Sequence, residues 1–282
     1  TAYIADITDE KSRAKGMGMF GVAFGLGFTV GPLIGGLIAG SNFTFHSLSN
    51  VAWFACAINL VNLLYVFFFL DESLKEKKDY KIKYSVERFK SQLKIVANKS
   101  LFSFFILIFC IHLTFSGMEG TIAIWGKETF VWGPREIGFV MLLAGLTQIL
   151  VQGGLLRILL KYYNEKQLIR SGYASLILGF FIIPFSSMYL MPVAIIFLCY
   201  GIGVTNPCLN SLISKNSPPK LKGLSLGTAY SSQAAARFLG QPLAGLMFLH
   251  LGKNYHFYFD VVFLLILASF YFFMNGKQQK TL

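Results

Sequence analysis

The chain has 282 residues, of which 55% are hydrophobic and only 13% charged, with 29 phenylalanines, a formal net charge of +12 and a mean hydropathy of +0.59. That is a membrane composition. The positive charge does not indicate a nucleic-acid binder, because it is spread along one face of the expected topology rather than gathered into a patch.

A hydrocarbon core of roughly 30 Å takes about 20 apolar residues per helical span. In chain order the sequence offers apolar runs at 17–40, 51–70, 101–121, 137–156, 171–187, 189–213, 224–250 and 257–274. They predict an all-α membrane protein with about eight transmembrane helices. Placing residues 1–16 on one side and alternating sides at each run assigns every connecting segment to a face. The first face then carries Lys11, Arg13, Lys15, nine Lys/Arg between Lys75 and Lys99, Arg157, Lys161, Lys166, Arg170, Lys215, Lys220, Lys222, Lys277 and Lys280. That is 21 of the 25 basic residues, against Lys127, Arg135 and Lys253 on the other. Basic loops stay cytoplasmic, so both ends are expected inside. Richness in Lys, Asn, Ile and Phe points to an AT-rich bacterial genome, and the expected location is the bacterial inner membrane.

The first run contains GLGFTVGPLIGG at 25–36, five glycines and a proline. In water such a helix is penalised, by roughly 1 kcal/mol per glycine and 3 kcal/mol for the proline relative to alanine. In lipid, glycine permits close backbone approach, and neighbouring helices can satisfy the carbonyl that proline frees. A related segment recurs. RAKGMGMFGVAFGLGFTVGPLIGG at 13–36 and KLKGLSLGTAYSSQAAARFLGQPLAG at 220–245 both pass from a basic entry through small residues to a Gly/Pro cluster. Six runs separate the two starts, so a parallel six-helix repeat is expected. The first two helices are then the end of an N-terminal bundle, and the last six form a complete C-terminal one. The chain begins at Thr1 rather than methionine and is expected to lack four helices upstream.

The expected domains are therefore 1–70 (partial N-terminal bundle), 71–100 (cytoplasmic linker) and 101–282 (C-terminal bundle and short tail). In the linker, Val86, Phe89, Leu93 and Val96 recur at three- and four-residue steps. This pattern suits either an amphipathic helix on the membrane surface or a solvated connecting helix. Cys56, Cys110, Cys199 and Cys208 lie inside apolar runs and read as packing residues, with no spacing suited to a metal.

AYIADITDEKSRAKGMG at 2–18, GFTVGPLIGG at 27–36, AIWGKETFVWGPREIGFV at 123–140 and AARFLGQPLAG at 235–245 resemble stretches of the major facilitator superfamily, in particular its drug/proton antiporters of the tetracycline-efflux type. They resemble, in order, the end of that family's fourth helix with its following loop, its fifth helix, the passage from seventh to eighth, and its eleventh. The resemblance implies that Gly27, Gly31, Pro32, Gly35 and Gly36 form the glycine-proline motif the family associates with antiport. It also implies that Asp6 and Arg13 form a charged pair at a cytoplasmic gate. Two departures stand out. GGLLRILLKYYNEKQLIRSG keeps only a blurred form of the family's basic loop, and Gln241 separates Gly240 from Pro242 where the first copy has Gly31 directly before Pro32.

Gly27, Gly31 and Gly35 step by four and form one smooth stripe. It reads as a sliding or sealing contact between halves, or as ordinary small-residue packing. Arg237 sits about 15 residues beyond Lys222, roughly 22 Å along a helix rising about 1.5 Å per residue, which places it near the bilayer middle. An arginine there costs about 2.5 to 3.5 kcal/mol and must face the bundle interior. Gln233 and Gln241 share its face. Arg237 is thus a contact for an anionic substrate, a partner for a carboxylate, or a structural donor to a neighbouring helix.

His112, Ser116 and Glu119 share a face of the third run. The imidazole and a desolvated carboxylate are candidate proton carriers; the alternatives are a satisfied core histidine and a carboxylate reaching the outer interface. Gln148 with Gln152, and Asn206 with Asn210, are each spaced by four and form candidate cavity or interhelical hydrogen-bonding pairs. Asp260 and Glu136, near helix starts, are expected to answer the helix dipole.

No GxxxxGK[ST] run is present to bind ATP phosphates, and four scattered histidines supply no enzymatic arrangement. The expected function is proton-coupled antiport, the efflux of a small amphipathic drug-like compound, with no cofactor and no metal. The expected partners are the lipid bilayer, a small-molecule substrate, protons and a separately encoded N-terminal half. A remnant without activity of its own, or an uptake carrier for a small metabolite, are the alternatives.

Overall fold

The computed structural model describes residues 13–41, 44–70, 95–96, 98–218 and 221–278. Within these, the side chains of 13–22, 24, 28, 99–100 and 270–278 are not described. Asp6, the side chain of Arg13, and Val86, Phe89 and Leu93 of the linker pattern lie outside the described residues.

The described residues form helices α1 (Arg13–Ala39), α2 (Phe45–Phe69), α3 (Lys99–Phe130), α4 (Pro134–Leu150), α5 (Leu156–Tyr162), α6 (Glu165–Ile182), α7 (Met191–Asn216), α8 (Lys222–Leu251) and α9 (Tyr255–Gln278). A π turn over Val151–Leu155 joins α4 to α5, so Pro134–Tyr162 runs as one helical rod. Each of the eight apolar runs falls on one of these rods. Five are long and apolar enough to cross a membrane: Phe45–Phe69, Leu101–Phe130, Pro134–Tyr162, Glu165–Phe185 and Met191–Asn216. Gly25–Ala39 and Tyr255–Ser269 are shorter apolar stretches, whereas α8, 30 residues long, is diluted by its Ser, Thr, Gln and Arg. Lipid explains the all-helical outcome, since backbone groups facing hydrocarbon must be satisfied within their own segment. The apolar surface agrees: α2 has no buried residue, and Phe67, Phe68 and Phe69 are each at least 70% exposed. In water such a helix would aggregate.

Two boundaries differ from the sequence expectation. Helix α3 continues past 121 to Phe130, because Ile122 and Trp125 are fully buried. Glu119, Gly120 and Lys127 interrupt the apolar run and hid this continuation. Helix α2 starts at Phe45, where Thr44 and Ser47 form a reciprocal capping box at 3.1 Å in each direction.

The chain divides into two compact units. Among described residues, one comprises α1, α2 and Val131–Gly145; the other comprises α3, the chain from Leu146 onward and the described part of the segment preceding α3. In the second unit α3 pairs closely with α8, and α6 with α7, while α9 lies against α6, α3 and α8. The α6–α7 seam is built from small residues. A Cβ on Gly179 would meet Leu198 at 2.6 Å, one on Gly201 would meet the Gly172 carbonyl at 2.8 Å, and the Ser175 hydroxyl donates to the Phe197 carbonyl at 2.6 Å.

Candidate functional site

The site begins with a close helix crossing. A Cβ on Gly240 of α8 would collide with the Leu113 carbonyl and the Ser116 hydroxyl of α3. One on Gly117 would lie 3.0 Å from the Ala244 Cβ and 3.3 Å from the Gly240 carbonyl, and one on Gly120 would lie 3.2 Å from the Gln241 side chain. Glycine is required at 240 because the facing atoms include backbone, which cannot rotate aside. This crossing sets the polar face of α3 beside the polar face of α8.

His112 is buried, its ring nitrogens lie away from solvent, and the Asn206 side chain of α7 lies beside it. Ser116 is also buried and donates to the Leu113 carbonyl at 3.2 Å. Glu119 is half-buried, and the charge of Arg237 acts on both Glu119 and His112 without forming an ion pair. Arg237 is exposed and makes no hydrogen bond or ion pair with the described residues. Gln233, one turn earlier, donates to Asn206 Oδ1 at 3.2 Å and links α8 to α7. The Ser232 hydroxyl donates to the Phe105 carbonyl at 3.2 Å and links α8 again to α3. Gln241 is exposed on the same side of α8 as Arg237.

The structure thus brings His112, Glu119, Gln233, Arg237 and Asn206 together across α3, α7 and α8. Asn210 lies one turn beyond Asn206, with a buried Oδ1 that has no partner. Gln152 donates to Gln148 at 2.6 Å across the π turn, and a Cβ on Gly203 of α7 would lie 3.5 Å from Gln148 Oε1. A π turn inserts a residue into a helix and often marks a functional position. This one links Gln148, which faces α7, to the exposed Gln152.

The glycine-proline motif of α1 is arranged differently. Gly27 and Gly31 face open space, and a Cβ on Gly35 would make only an ordinary 3.6 Å contact with Val51. The close approach falls at the neighbouring position. A Cβ on Gly36 would lie 2.6 Å from the Pro134 carbonyl, and one on Gly138 of α4 would lie 2.9 Å from the Pro32 carbonyl. Thr29 is buried opposite Gly145, where a Cβ would come within 2.6 Å of it. The motif therefore packs against α4 through Thr29, Pro32 and Gly36, while its Gly27–Gly31 stripe is uncovered within that unit.

Glu136 accepts from the Gly133 amide at 2.8 Å in the first turn of α4, as its dipole position suggests. Asp260 does not fit that account. It lies beyond the first turn of α9, is 94% buried, and its Oδ2 has no partner. His256, one turn earlier, is also buried, with Nε2 2.8 Å from the Thr121 hydroxyl and Nδ1 unpartnered. The spacing HFYFD at 256–260 was the available signal for this pair.

Comparison with known proteins gives a consistent family. The sequence profile of the Major Facilitator Superfamily matches residues 1–241. Human major facilitator superfamily domain-containing protein 10 is 27% identical over 88% of this chain and 57% of its own length. Multidrug resistance protein 2 of Bacillus subtilis is 25% identical over 92% of this chain and 64% of its own. The class C tetracycline resistance protein of Escherichia coli is 29% identical over 76% of this chain and 53% of its own. The chain therefore spans 53% to 64% of the lengths of these relatives. The crystal structure of the human organic anion transporter MFSD10 superposes with a TM-score of 0.65 at 24% identity, covering 95% of this chain and 66% of that one.

Proposed function

Because this chain belongs to the Major Facilitator Superfamily, a family of membrane carriers rather than enzymes, we propose that it serves proton-coupled antiport, exporting a small amphipathic compound. The observation that carries this reading is Arg237. A guanidinium near the middle of a membrane helix, with no ion-pair partner and with His112 and Glu119 within reach of its field, is tolerable only beside a polar cavity or ligand. Arg237 then meets an anionic or strongly hydrogen-bonding group of the substrate, and Gln233 and Gln241 on the same face orient it. Glu119 and His112 are the proton carriers. A proton on Glu119 leaves Arg237 free for substrate, whereas its loss creates a competing anion beside the guanidinium.

Efflux, rather than uptake, is favoured by relatives that include a multidrug resistance protein and a tetracycline resistance protein. A substrate with an acidic group is favoured by Arg237 and by the likeness to a human organic anion transporter. The uncovered Gly27–Gly31 stripe is the surface on which moving parts would slide and seal. The test is uptake into inverted membrane vesicles carrying the full natural polypeptide. An imposed pH gradient, acid inside, should drive accumulation of an amphipathic fluorescent carboxylate such as fluorescein, and a protonophore should abolish it. Accumulation that ignores the gradient would remove the proton from the mechanism.

A further inference from the structure

A second group of titratable side chains lies apart from the cluster around Arg237. It is built where the beginning of α9 meets the later turns of α3. The Trp125 indole donates to Asn254 Oδ1 at 2.8 Å, which fixes the turn leading into α9. Phe257 packs edge-on against Trp125 with centroids 5.9 Å apart, and the His256 ring lies among Phe248 and Phe257. Thr121 holds His256 Nε2 at 2.8 Å. One turn further, Asp260 enters the seam that α9 makes with α3, α6 and α8, 94% buried, with Oδ2 unpartnered.

On α3, Glu119 belongs to the Arg237 cluster, and Lys127 and Glu128 are exposed. On α6, Arg170 and its predecessors Glu165 and Lys166 lie at the far end: Tyr258 of α9 touches Phe185, about 15 residues and roughly 22 Å beyond Arg170. On α8, His250 is exposed, and Arg237 lies about 11 residues, roughly 16 Å, before the Phe248 that touches His256. Lys253, in the turn before α9, makes no ion pair. No ion pair reaches Asp260 among the described residues. A carboxylate that is buried and unpaired is not a stable species in such a seam, whereas a neutral carboxylic acid is.

We propose that Asp260, with His256 and Thr121, forms a second proton-binding site, in which Asp260 holds its proton while α9 is packed on α3 and α6 and gives it up when that seam opens to water. In the release step the Asp260 O–H bond breaks, the proton passes to an entering water, and the carboxylate left behind is hydrated. His256, with Nδ1 uncommitted, is the adjacent group able to relay that proton. The protonated state needs only the packing described; the release step alone rests on the reading of the chain as a moving carrier.

The test is infrared difference spectroscopy of the purified full polypeptide without substrate, in the carbonyl-stretch region of protonated carboxylic acids, titrated from acid to alkaline pH. Wild type should show a protonated-acid band at neutral pH that Asp260→Asn removes and Glu119→Gln leaves, with intensity falling as pH rises. If Asp260→Asn fails to accumulate, Asp260→Glu should retain the band at a shifted frequency. Identical spectra for wild type and Asp260→Asn, or an unshifted Asp260→Glu band, would overturn the site. A band that persists unchanged to alkaline pH would make Asp260 a structural acid and overturn release. Because no substrate is present, loss of the efflux reading leaves the spectral result intact, and failure of the spectrum leaves vesicle transport intact.

Discussion

The two glycine-proline helices carry a similar pattern of small residues and make opposite use of it. In α8, Gly240, the glycine nearest the proline, is driven into the backbone of α3, and the resulting crossing holds Arg237, His112 and Glu119 together. In α1, Gly31, directly before Pro32, faces open space; contact with α4 passes to Gly36 and the Pro32 carbonyl. The same small-residue composition thus serves a fixed seam in one helix and leaves an unfilled face in the other. Glycine spacing alone does not say which: the facing helix decides.

The largest effect should come from filling the fixed seam. Gly240→Leu places a side chain against backbone and should cost about 3 kcal/mol or more, beyond the range of ordinary overpacking. Thermal unfolding in detergent should show a sharply lowered midpoint or no folded protein. Gly31→Leu breaks the comparison from the other side: its face is open, so folding and membrane insertion should survive. If the stripe seals during transport, export should nevertheless vanish; unchanged export would remove the stripe from the mechanism. Next comes Gly36→Ala, whose Cβ would meet the Pro134 carbonyl at 2.6 Å. It should cost roughly 1 to 3 kcal/mol, whereas Gly35→Ala, with 3.6 Å to Val51, should be near neutral in the same unfolding assay.

Glu119→Gln should leave the unfolding midpoint almost unchanged, abolish gradient-driven accumulation, and preserve exchange of substrate across vesicles without a gradient. Loss of neither activity would exclude Glu119 as the coupling group. The smallest effect belongs to Val131, a β-branched residue at φ 59° between α3 and α4. Left-handed backbone costs an L-residue about 1 to 2 kcal/mol, and glycine's added freedom returns roughly half of that. Val131→Gly should therefore raise the unfolding midpoint slightly, by less than about 1 kcal/mol in stability, and a lowered midpoint would contradict the strain.

Much of the fold was legible because lipid imposes simple rules: a run of apolar residues near 20 long must be a helix. The pairing of helices was not. Nothing in Gly240 or Leu113 announces that they touch, since the contact depends on which turn of α3 faces which turn of α8. Arg237 stood out because a charge in an apolar run is costly, and Gln233, Asn206, His112 and Glu119 could be proposed from shared helix faces. Their convergence across three helices required the fold. Asp260 was misread for a local reason. Its nearness to a helix start suggested the dipole, but α9 begins at Tyr255, and Asp260 is buried in a helix that packs on α3, α6 and α8. The π turn at Val151–Leu155 left no periodicity to read, since one inserted residue in a Gly-rich stretch only blurs an apolar run.

The central claim is that the α3–α8 crossing presents Arg237 to the substrate's acidic group. Its most direct measurement is accumulation of fluorescein and of an uncharged amphipathic dye of similar size in inverted vesicles, comparing wild type with Arg237→Gln. Arg237→Gln should lose at least about tenfold in fluorescein transport, the scale of one lost charge-assisted hydrogen bond, while the neutral dye is affected far less. Equal rates of fluorescein transport in the two proteins, at matched amounts of folded carrier, would contradict it.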